Sequence, residues 1–163
     1  MKNNAKTLYL LRHGEAYDFT AEVDDFNRKL TPDGEQQVLQ IAHYLQENSI
    51  KIDVVISSQA ERAVSSANII RKQLNLPQVE LEECLYPCTS SCIYNTIISI
   101  DDNVNNILIV GHNPGLTAFA QEYMQLETMH LGTSGIISCS YDTNSWAEFA
   151  LNTAKRNFVT SPK

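Results

Sequence analysis

The residue in this chain most able to do chemistry is His13, which follows Arg12 and precedes Gly14 at the end of the apolar run Leu8–Leu11. An arginine offers a fixed fork of donors that matches phosphate oxygens. A neighbouring imidazole can act as a nucleophile near neutral pH. This short pattern indicates phosphoryl transfer with His13 as the nucleophile, although one such tripeptide is weak evidence.

A second histidine, His112, follows another apolar run at 107–110. In an open α/β sheet, ligands bind outside the carboxyl ends of the strands, so two such strands can present both histidines to one substrate. A third apolar run, 54–56, leads into a predicted helix with Arg62 in or near its first turn. Helix N-termini attract anions, and a guanidinium there adds charge-assisted donors. Together these positions predict a local phosphate pocket.

Composition narrows the class of protein. The chain of 163 residues is 43% hydrophobic, which suits one domain over residues 1–163. Its net charge of -7 argues against a nucleic-acid or anionic-membrane surface, because such partners are bound by an excess of Lys and Arg. The apolar run behind the polar segment 1–7 is too short for a signal peptide or a membrane span. We expect a cytoplasmic monomer in which the four cysteines are reduced.

Strand and helix patterns alternate along the chain. Thr31-Pro32 predicts a helix start, and Asn75 predicts the end of the following helix. The order βαβα(α)βαββ predicts an α/β fold whose sheet is mostly parallel with an antiparallel end. The predicted elements are strand 8–11, helix 32–45, strand 54–56, helix 60–74, helix 91–100, strand 106–110, helix 114–125, and a closing hairpin of strands 135–141 and 146–151.

Four motifs, together highly specific, resemble those of the histidine phosphatase superfamily: Leu11–Glu15, Arg28–Gly34, Ser57–Ala67 and Val110–Leu116. The resemblance runs from about residue 7 to about residue 141, and the small chain is most similar to the SixA branch, the phosphohistidine phosphatases. It implies a three-layer sandwich of the phosphoglycerate mutase-like type, with helices on both faces of the sheet. Two positions depart from the family pattern: Gln59 stands where Pro is common, and Ser66 where Thr is common.

The resemblance implies catalytic roles for residues within these motifs. His13 would carry the phosphoryl group as a phosphohistidine intermediate, and Arg12, Arg62 and His112 would complete the pocket. Because phosphoryl transfer depends mainly on positioning and electrostatic stabilisation, these groups can supply it without a metal or another cofactor. We expect His112 to serve as an imidazolium that donates to a phosphoryl oxygen.

Three further residues are candidate substrate contacts. Gly14 lacks a Cβ, so its backbone N–H could approach an anion closely, and Asn113 follows His112 in the second motif. Arg28 lies in a polar loop, where a substrate contact and a plain surface charge are equally good interpretations. The acidic stretch Tyr17–Arg28 could flank the pocket entrance and bias which partners dock.

The sequence identifies no clear general acid. Larger members of the superfamily supply a carboxylate from the region where this chain carries Glu82 and Glu83, and either residue is a candidate. A chain as short as this one resembles the members of the superfamily that lack such an acid. Because an imidazole can leave phosphohistidine as a neutral species, whereas a sugar alkoxide needs a proton, the short form favours a P–N substrate.

The cysteines have two interpretations. Cys84, Cys88 and Cys92 recur at every fourth residue, which could indicate a metal site. Buried or half-buried thiols are the better interpretation, because Pro87 interrupts any helix that would align the three. A cysteine-dependent phosphatase needs an Arg six positions after the Cys. None of the four cysteines has one, so this class of enzyme is excluded.

Three functions remain open. The leading hypothesis is a phosphohistidine phosphatase that acts on a phosphorylated protein, such as a phosphotransfer domain or a phosphocarrier. The alternatives are a small-molecule phosphomonoesterase and a non-catalytic phosphate-binding module. A mutase is disfavoured, because a short chain has little material for the lid that protects a phosphorylated intermediate.

Overall fold

The computed structural model describes residues 5–127 and 130–163 as a six-stranded sheet covered by helices on both faces, which confirms the predicted α/β class. The strand order across the sheet is β3-β2-β4-β1-β5-β6. The strands are β1 (Ala5–Arg12), β2 (Val54–Ser58), β3 (Glu80–Glu82), β4 (Asn106–Gly111), β5 (Ile136–Asp142) and β6 (Lys155–Thr160). The helices are α1 (Pro32–Glu47), α2 (Glu61–Leu74), α3 (Ser90–Ile98) and α4 (Gly115–Tyr123).

The sheet is mixed in the way the sequence predicts. Strands β3, β2, β4 and β1 run parallel, β5 pairs antiparallel with β1, and β6 pairs antiparallel with β5. Strands β1 and β4 are neighbours in the middle of the sheet, and their carboxyl ends therefore lie at the same edge.

Alternation along the central strands divides the core between the two faces of the sheet. Leu8 and Leu10 of β1 pack on the face covered by α3, α4 and Trp146. Tyr9 and Leu11 pack on the opposite face with α1 and α2. Because successive side chains of a strand point to opposite faces, this near-continuous apolar strand is typical of a sheet buried on both sides.

The helix boundaries follow ordinary capping chemistry. The Thr31 side chain accepts a hydrogen bond from the N–H of Gly34, and Pro32 occupies the first turn of α1. Helix α2 ends at Asn75, which adopts the left-handed conformation with φ 53°. The helix predicted over 91–100 is α3, which begins earlier because Thr89 caps it and ends at Ile98. In the described ranges no helix is long and apolar enough to cross a membrane.

The predicted closing hairpin is wrong in its second strand. Residues Trp146–Leu151 form a 3-10 helix, and the strand that pairs with β5 is Lys155–Thr160. Trp146 and Phe149 are both fully buried and lie three residues apart, which is the 3-10 repeat rather than the alternation of a strand. The real strand is largely exposed and polar, so it lacks the apolar alternation from which strands are predicted.

The expectation of four reduced cysteines is also wrong. Cys84 and Cys92 form a disulfide, with their Cα atoms 5.9 Å apart, while Cys88 and Cys139 are free and buried. The chain turns between Cys84 and the first turn of α3, and this turn brings together two residues that are eight positions apart. Of the three cysteines interpreted as buried thiols, Cys88 is one, whereas Cys84 and Cys92 are joined in the disulfide.

Candidate active site

His13 and His112 lie side by side at the carboxyl edge of the sheet. Arg12 at the end of β1 pairs in register with Gly111 at the end of β4, so the next residue of each strand leaves the sheet at the same place. The centroids of the two imidazole rings are 5.0 Å apart, and each histidine is only 7% exposed. The sheet register thus explains why residues 99 positions apart in sequence form one cluster.

The hydrogen bonds of His13 define its tautomer. Its Nδ1 lies 2.7 Å from the carbonyl oxygen of Gly14. Because a carbonyl can only accept, Nδ1 carries the proton and Nε2 carries the lone pair. The Nε of Arg62 donates to this Nε2 at 3.3 Å. The nitrogen that can attack phosphorus is therefore Nε2, and it faces a guanidinium that suits phosphoryl oxygens.

Both imidazoles are neutral near pH 7. Burial, and then the positive charges of Arg62 and Arg12, lower the pKa of His13 to about 4. Burial, and then the neighbouring His13 and Arg62, lower the pKa of His112 to about 3. The imidazolium that the sequence predicted at His112 is therefore disfavoured by its surroundings. A phosphoryl group bound beside His112 would raise this pKa, since it brings negative charge among the arginines.

Ser58, which the sequence analysis did not assign to the site, fixes the second histidine. Its Oγ lies 2.8 Å from the Nε2 of His112 and accepts a hydrogen bond from the N–H of Ala60 at 3.2 Å. The hydroxyl proton of Ser58 can therefore point at Nε2, which leaves the proton of His112 on Nδ1. Within the described residues, that Nδ1 is buried and has no hydrogen-bond partner. An unpaired buried donor is costly unless a ligand satisfies it.

The arginines approach the histidines from two elements. Arg12 comes from the end of β1, and its Nη1 donates to the carbonyl of Leu131 at 3.0 Å. Arg62 comes from the first turn of α2, as predicted, and is only 4% exposed. Its Nη1 donates to the backbone oxygen of Asp25 at 2.5 Å, and its Nη2 donates to the Asp25 carboxylate at 3.1 Å. All three nitrogens of the Arg62 guanidinium are thus in use.

Asp25 is the second site residue, after Ser58, that the sequence analysis did not assign. Its carboxylate accepts hydrogen bonds from Arg62, from the Nε of Arg28 at 3.0 Å and from the hydroxyl of Tyr86 at 2.6 Å. The Tyr86 hydroxyl, and then the charges of Arg62 and Arg28, lower the pKa of Asp25 to about 2. Nothing in the sequence separates Asp25 from its neighbour Asp24, because only the folded chain brings one of them to the arginines.

The predicted substrate contacts have different outcomes. The Gly14 N–H donates to the Oγ of Ser66 at 2.9 Å, so it is not available to an anion and that prediction is wrong. A Cβ at Gly14 would lie 2.8 Å from the Gly34 oxygen, and close packing against α1 is the reason for glycine there. Asn113 lines the pocket, but its amide donates to the Leu131 carbonyl and accepts from Thr117.

The structure places Arg28 at the pocket and neither candidate acid near it. Arg28 is partly buried and lines the pocket beside Asp25. This position favours a substrate contact over a plain surface charge. Glu82 instead caps a short 3-10 helix by accepting from the Cys84 N–H, and Glu83 lies in that helix. The pocket measures about 430 Å³ and is lined by Arg12, His13, Glu15, Ala16, Asp25, Arg28, Arg62, His112, Asn113 and Thr133.

Comparison with known proteins shows that this chain is similar to phosphatases. The sequence profile of the histidine phosphatase superfamily (branch 1) matches residues 8–86, a stretch that holds His13, Asp25, Arg28 and Arg62. The mitochondrial serine/threonine-protein phosphatase Pgam5 of Drosophila virilis is 36% identical over 83 residues, which are 51% of this chain and 28% of that protein. The chain spans about a third of the length of the first curated relatives it matches.

Solved structures share the whole fold. A candidate phosphohistidine phosphatase SixA from Nakamurella multipartitia superposes with a TM-score of 0.82 at 24% identity, covering 97% of this chain and 96% of that chain. The protein histidine phosphatase SixA complexed with tungstate superposes with a TM-score of 0.77 at 22% identity, covering 96% and 97%. At these identities the likeness establishes the fold, the SixA form of the phosphoglycerate mutase-like sandwich. The profile matches residues 8–86, somewhat less than half of the chain, and the solved structures match its fold over nearly the whole length, so the chain is similar to the histidine phosphatase superfamily in both sequence and fold.

Proposed function

We propose that this protein is a phosphohistidine phosphatase that removes the phosphoryl group from a histidine of another protein through a covalent phospho-His13 intermediate. The observation that carries the proposal is the state of His13. Its Nδ1 proton is held by the Gly14 carbonyl, and its Nε2 lone pair is aimed at the Arg62 guanidinium. A neutral imidazole with a fixed tautomer is ready to attack without first losing a proton.

In the first step, the phosphoryl oxygens of the substrate bind among Arg12, Arg62 and His112. Nε2 of His13 attacks phosphorus, the new N–P bond forms, and the P–N bond of the substrate breaks. The substrate ring reacts in its cationic form, protonated on the ring nitrogen that does not carry phosphorus, so it departs as a neutral imidazole. The phosphorylated His13 ring becomes cationic, and the Gly14 carbonyl stabilises this charge through the Nδ1 hydrogen bond.

In the second step, water attacks the phosphorus of phospho-His13, the N–P bond breaks, and both protons of the water stay on the oxygens of the phosphate. The His13 imidazole leaves as it began, neutral and protonated on Nδ1, and inorganic phosphate is released. The leaving group is an imidazole in both steps. With a phosphohistidine substrate, the pocket therefore has to break the same kind of bond, between phosphorus and an imidazole nitrogen, in both steps.

The charge state of Asp25 supports a P–N substrate over a sugar phosphate. An alkoxide leaving group needs a general acid, and Asp25 is a carboxylate that lines the pocket beside the arginines. With its pKa lowered to about 2 by Tyr86, Arg62 and Arg28, Asp25 has no proton to donate at pH 7. The other lining carboxylate, Glu15, accepts a hydrogen bond from the Thr31 hydroxyl at 2.8 Å.

The names of similar proteins support a protein as the substrate. Pgam5 is named a serine/threonine-protein phosphatase, and SixA is named a protein histidine phosphatase. These names agree on a phosphorylated protein and differ in the residue that carries the phosphoryl group. The experiment must therefore separate a phosphohistidine from a phosphoserine.

The test is release of phosphate, without added metal, from a phosphotransfer domain phosphorylated on histidine, a phosphoserine peptide and a panel of small phosphate monoesters. We expect turnover of the phosphohistidine domain to exceed that of every ester. An alkaline quench during turnover should trap radioactive phosphate on the peptide that contains His13. His13→Ala should lose at least about 1,000-fold in rate and should carry no label.

His43→Ala is the matched control, because His43 is exposed on α1 and lies outside the pocket lining. It should keep the wild-type rate and the wild-type labelling. Preference for a small ester would replace the proposal with a metabolite phosphomonoesterase. Binding of phosphate without turnover of any substrate would replace it with a phosphate-binding module.

A further inference from the structure

One exposed apolar cluster lies beside the phosphate pocket. Among the described residues, seven large hydrophobic side chains are exposed, and four of them fall between residues 17 and 26. These four are Tyr17 (55% exposed), Phe19 (68%), Val23 (40%) and Phe26 (36%). Single exposed apolar residues need no explanation, but several together mark a surface that another molecule covers. We call residues 17–28 the rim segment.

The rim segment is tied to the protein on both sides of this cluster. The Tyr17 N–H donates to the Lys29 carbonyl at 2.9 Å, and Arg28 Nη1 donates to the Tyr17 carbonyl at 2.7 Å. Asp25 binds Arg62 of the catalytic pocket, and the Phe26 ring packs edge-on against Tyr86 with centroids 5.1 Å apart. The backbone is therefore anchored by the same cations that line the pocket, while Phe19 and its apolar neighbours face water.

A groove in the rim segment lies next to the phosphate pocket. It measures about 300 Å³, and its walls combine the apolar surfaces of Tyr17 and Val23 with the polar or charged residues Asp18, Thr20, Asn27, Arg28 and Lys29. Arg28 lines both the groove and the pocket, so the two share a wall. A small phosphate ester held within the pocket would leave the apolar walls in water. A protein surface that delivers a phosphorylated side chain to His13 would cover them.

The charge of the rim segment restricts the kind of protein surface. Asp18 and Glu22 are both exposed, and neither forms an ion pair with any residue in 5–127 or 130–163. The rim segment holds four carboxylates and one cation, Arg28, which pairs with Asp25. Only Asp25 among them is neutralised by arginines. A partner with basic side chains around an apolar centre complements this surface, and acidic partners are repelled.

We propose that the rim segment is the docking surface for the protein substrate. The partner presents apolar side chains next to its phosphohistidine and Lys or Arg at the edge of that patch. This inference rests on the proposed function, and it locates substrate recognition outside the phosphate pocket. Exposed aromatic side chains are the residues that most often dominate binding at such surfaces. Phe19 is the most exposed of the four and is therefore the first residue to change in a test.

The test compares two substrates of the same enzyme. Potassium phosphoramidate is a P–N compound small enough to fit within the pocket, and a phosphotransfer domain phosphorylated on histidine is the protein probe. For Phe19→Ser combined with Val23→Ser, we expect kcat/KM on the protein to fall at least tenfold more than on phosphoramidate. The loss should lie in KM rather than in kcat, because the chemical step is untouched.

Leu151→Ser is the matched control, since Leu151 is 84% exposed and lies outside the rim segment. It should leave the ratio of the two kcat/KM values unchanged. Asp18→Asn combined with Glu22→Gln should raise KM for the protein at low salt, with a smaller effect at high salt. Phe19→Ala alone serves if the double variant melts below the assay temperature.

Each outcome separates this inference from the function on which it rests. Suppose that the wild-type protein turns over the phosphotransfer domain, and that the rim variant loses kcat/KM equally on both substrates or on neither. This result would overturn the docking surface without contradicting the proposed phosphatase activity. Wild-type turnover of phosphoramidate without any turnover of the protein would overturn the protein substrate, and the docking surface with it. A selective loss on the protein supports both.

Discussion

The floor of the pocket and its rim segment are built by different forces. The floor consists of His13, His112, Arg12 and Arg62, which come from two strand ends and the first turn of a helix. The rim segment contains only one short 3-10 turn, at Asp25–Asn27, and is mostly exposed. Sheet register holds the floor in place, whereas the rim is held by hydrogen bonds from Arg62 of the floor and from Arg28 and Tyr86.

Asp25 is where the two regions meet. It belongs to the rim segment, and its carboxylate and backbone oxygen occupy two of the three nitrogens of Arg62. A phosphoryl oxygen that binds to these nitrogens must compete with Asp25 for the same donors. The floor and the proposed docking surface are therefore physically linked through the ion pair between Asp25 and Arg62.

The largest effect after loss of the nucleophile is expected for Arg62→Ala. This change removes the donor to Nε2 of His13 and the best placed guanidinium for the phosphoryl oxygens. Loss of one such electrostatic group typically costs about 100-fold to 1,000-fold in kcat. Arg62→Lys should lie between, because lysine keeps the charge and loses the planar fork. Initial rates on the histidine-phosphorylated phosphotransfer domain measure both variants.

Arg156→Ala is the control for Arg62→Ala, since Arg156 is an exposed arginine on the edge strand β6. Thermal melting of each variant would separate a rate effect from a folding defect, because Arg62 is buried. Wild-type rates in Arg62→Ala, with the fold intact, would break the assignment of Arg62 to the floor.

A smaller effect is expected for Asp25→Asn, which tests the link between floor and rim. The substitution removes one negative charge that competes with phosphate for Arg62 and Arg28. We expect inorganic phosphate to bind about tenfold more tightly, and to inhibit turnover more strongly, because nearby charges interact by roughly this much at the edge of a protein. Calorimetric titration with phosphate at low and high salt measures the change.

Asp24→Asn is the neighbouring control. Asp24 caps the 3-10 turn by accepting from the Asn27 N–H at 2.9 Å, and it contacts no arginine of the pocket within the described residues. Phosphate affinity should be unchanged in this variant. If Asp25→Asn also left phosphate affinity unchanged, the floor and the rim would be independent, contrary to the comparison above.

The floor was predictable from the sequence because its positions follow from strand ends. Apolar runs identify β1 and β4, the α/β pattern makes them parallel, and both must then deliver the next residue to one edge. The same reasoning correctly put Arg62 in the first turn of α2. His13 and His112 were thus placed together by topology, before any contact was known.

The rim and several details were not predictable, for physical reasons that differ. Asp25 is one of four acidic residues in its loop, and only tertiary contacts single it out. Gly14 was assigned to an anion, whereas the packing of α1 requires it. The Cys84–Cys92 pairing depends on a turn that spacing does not reveal. The neutral state of His112 follows from burial, which residue type alone does not report.

The smallest effect is expected from a change of pH, which acts on the two histidines of the floor. His13 and His112 have pKa values of about 4 and about 3, below the ordinary value of 6.5. The unfolded chain therefore takes up protons as pH falls through about 6.5, while the folded chain resists until about 4. Since the unfolded state binds more protons in that window, stability should fall as pH drops through it.

Nuclear magnetic resonance of the imidazole rings measures these pKa values directly, with His13→Asn and His112→Asn identifying the signals. In protein without added anion, we expect both floor histidines to titrate below pH 5. Tungstate should move the titration of His112 to higher pH, since a bound oxyanion offsets the charges of Arg12 and Arg62. If the two histidines titrated near pH 6.5 without tungstate, their imidazoles would be more exposed to water than in the structure. The rim, and not the floor, would then have to exclude water from the phosphoryl group.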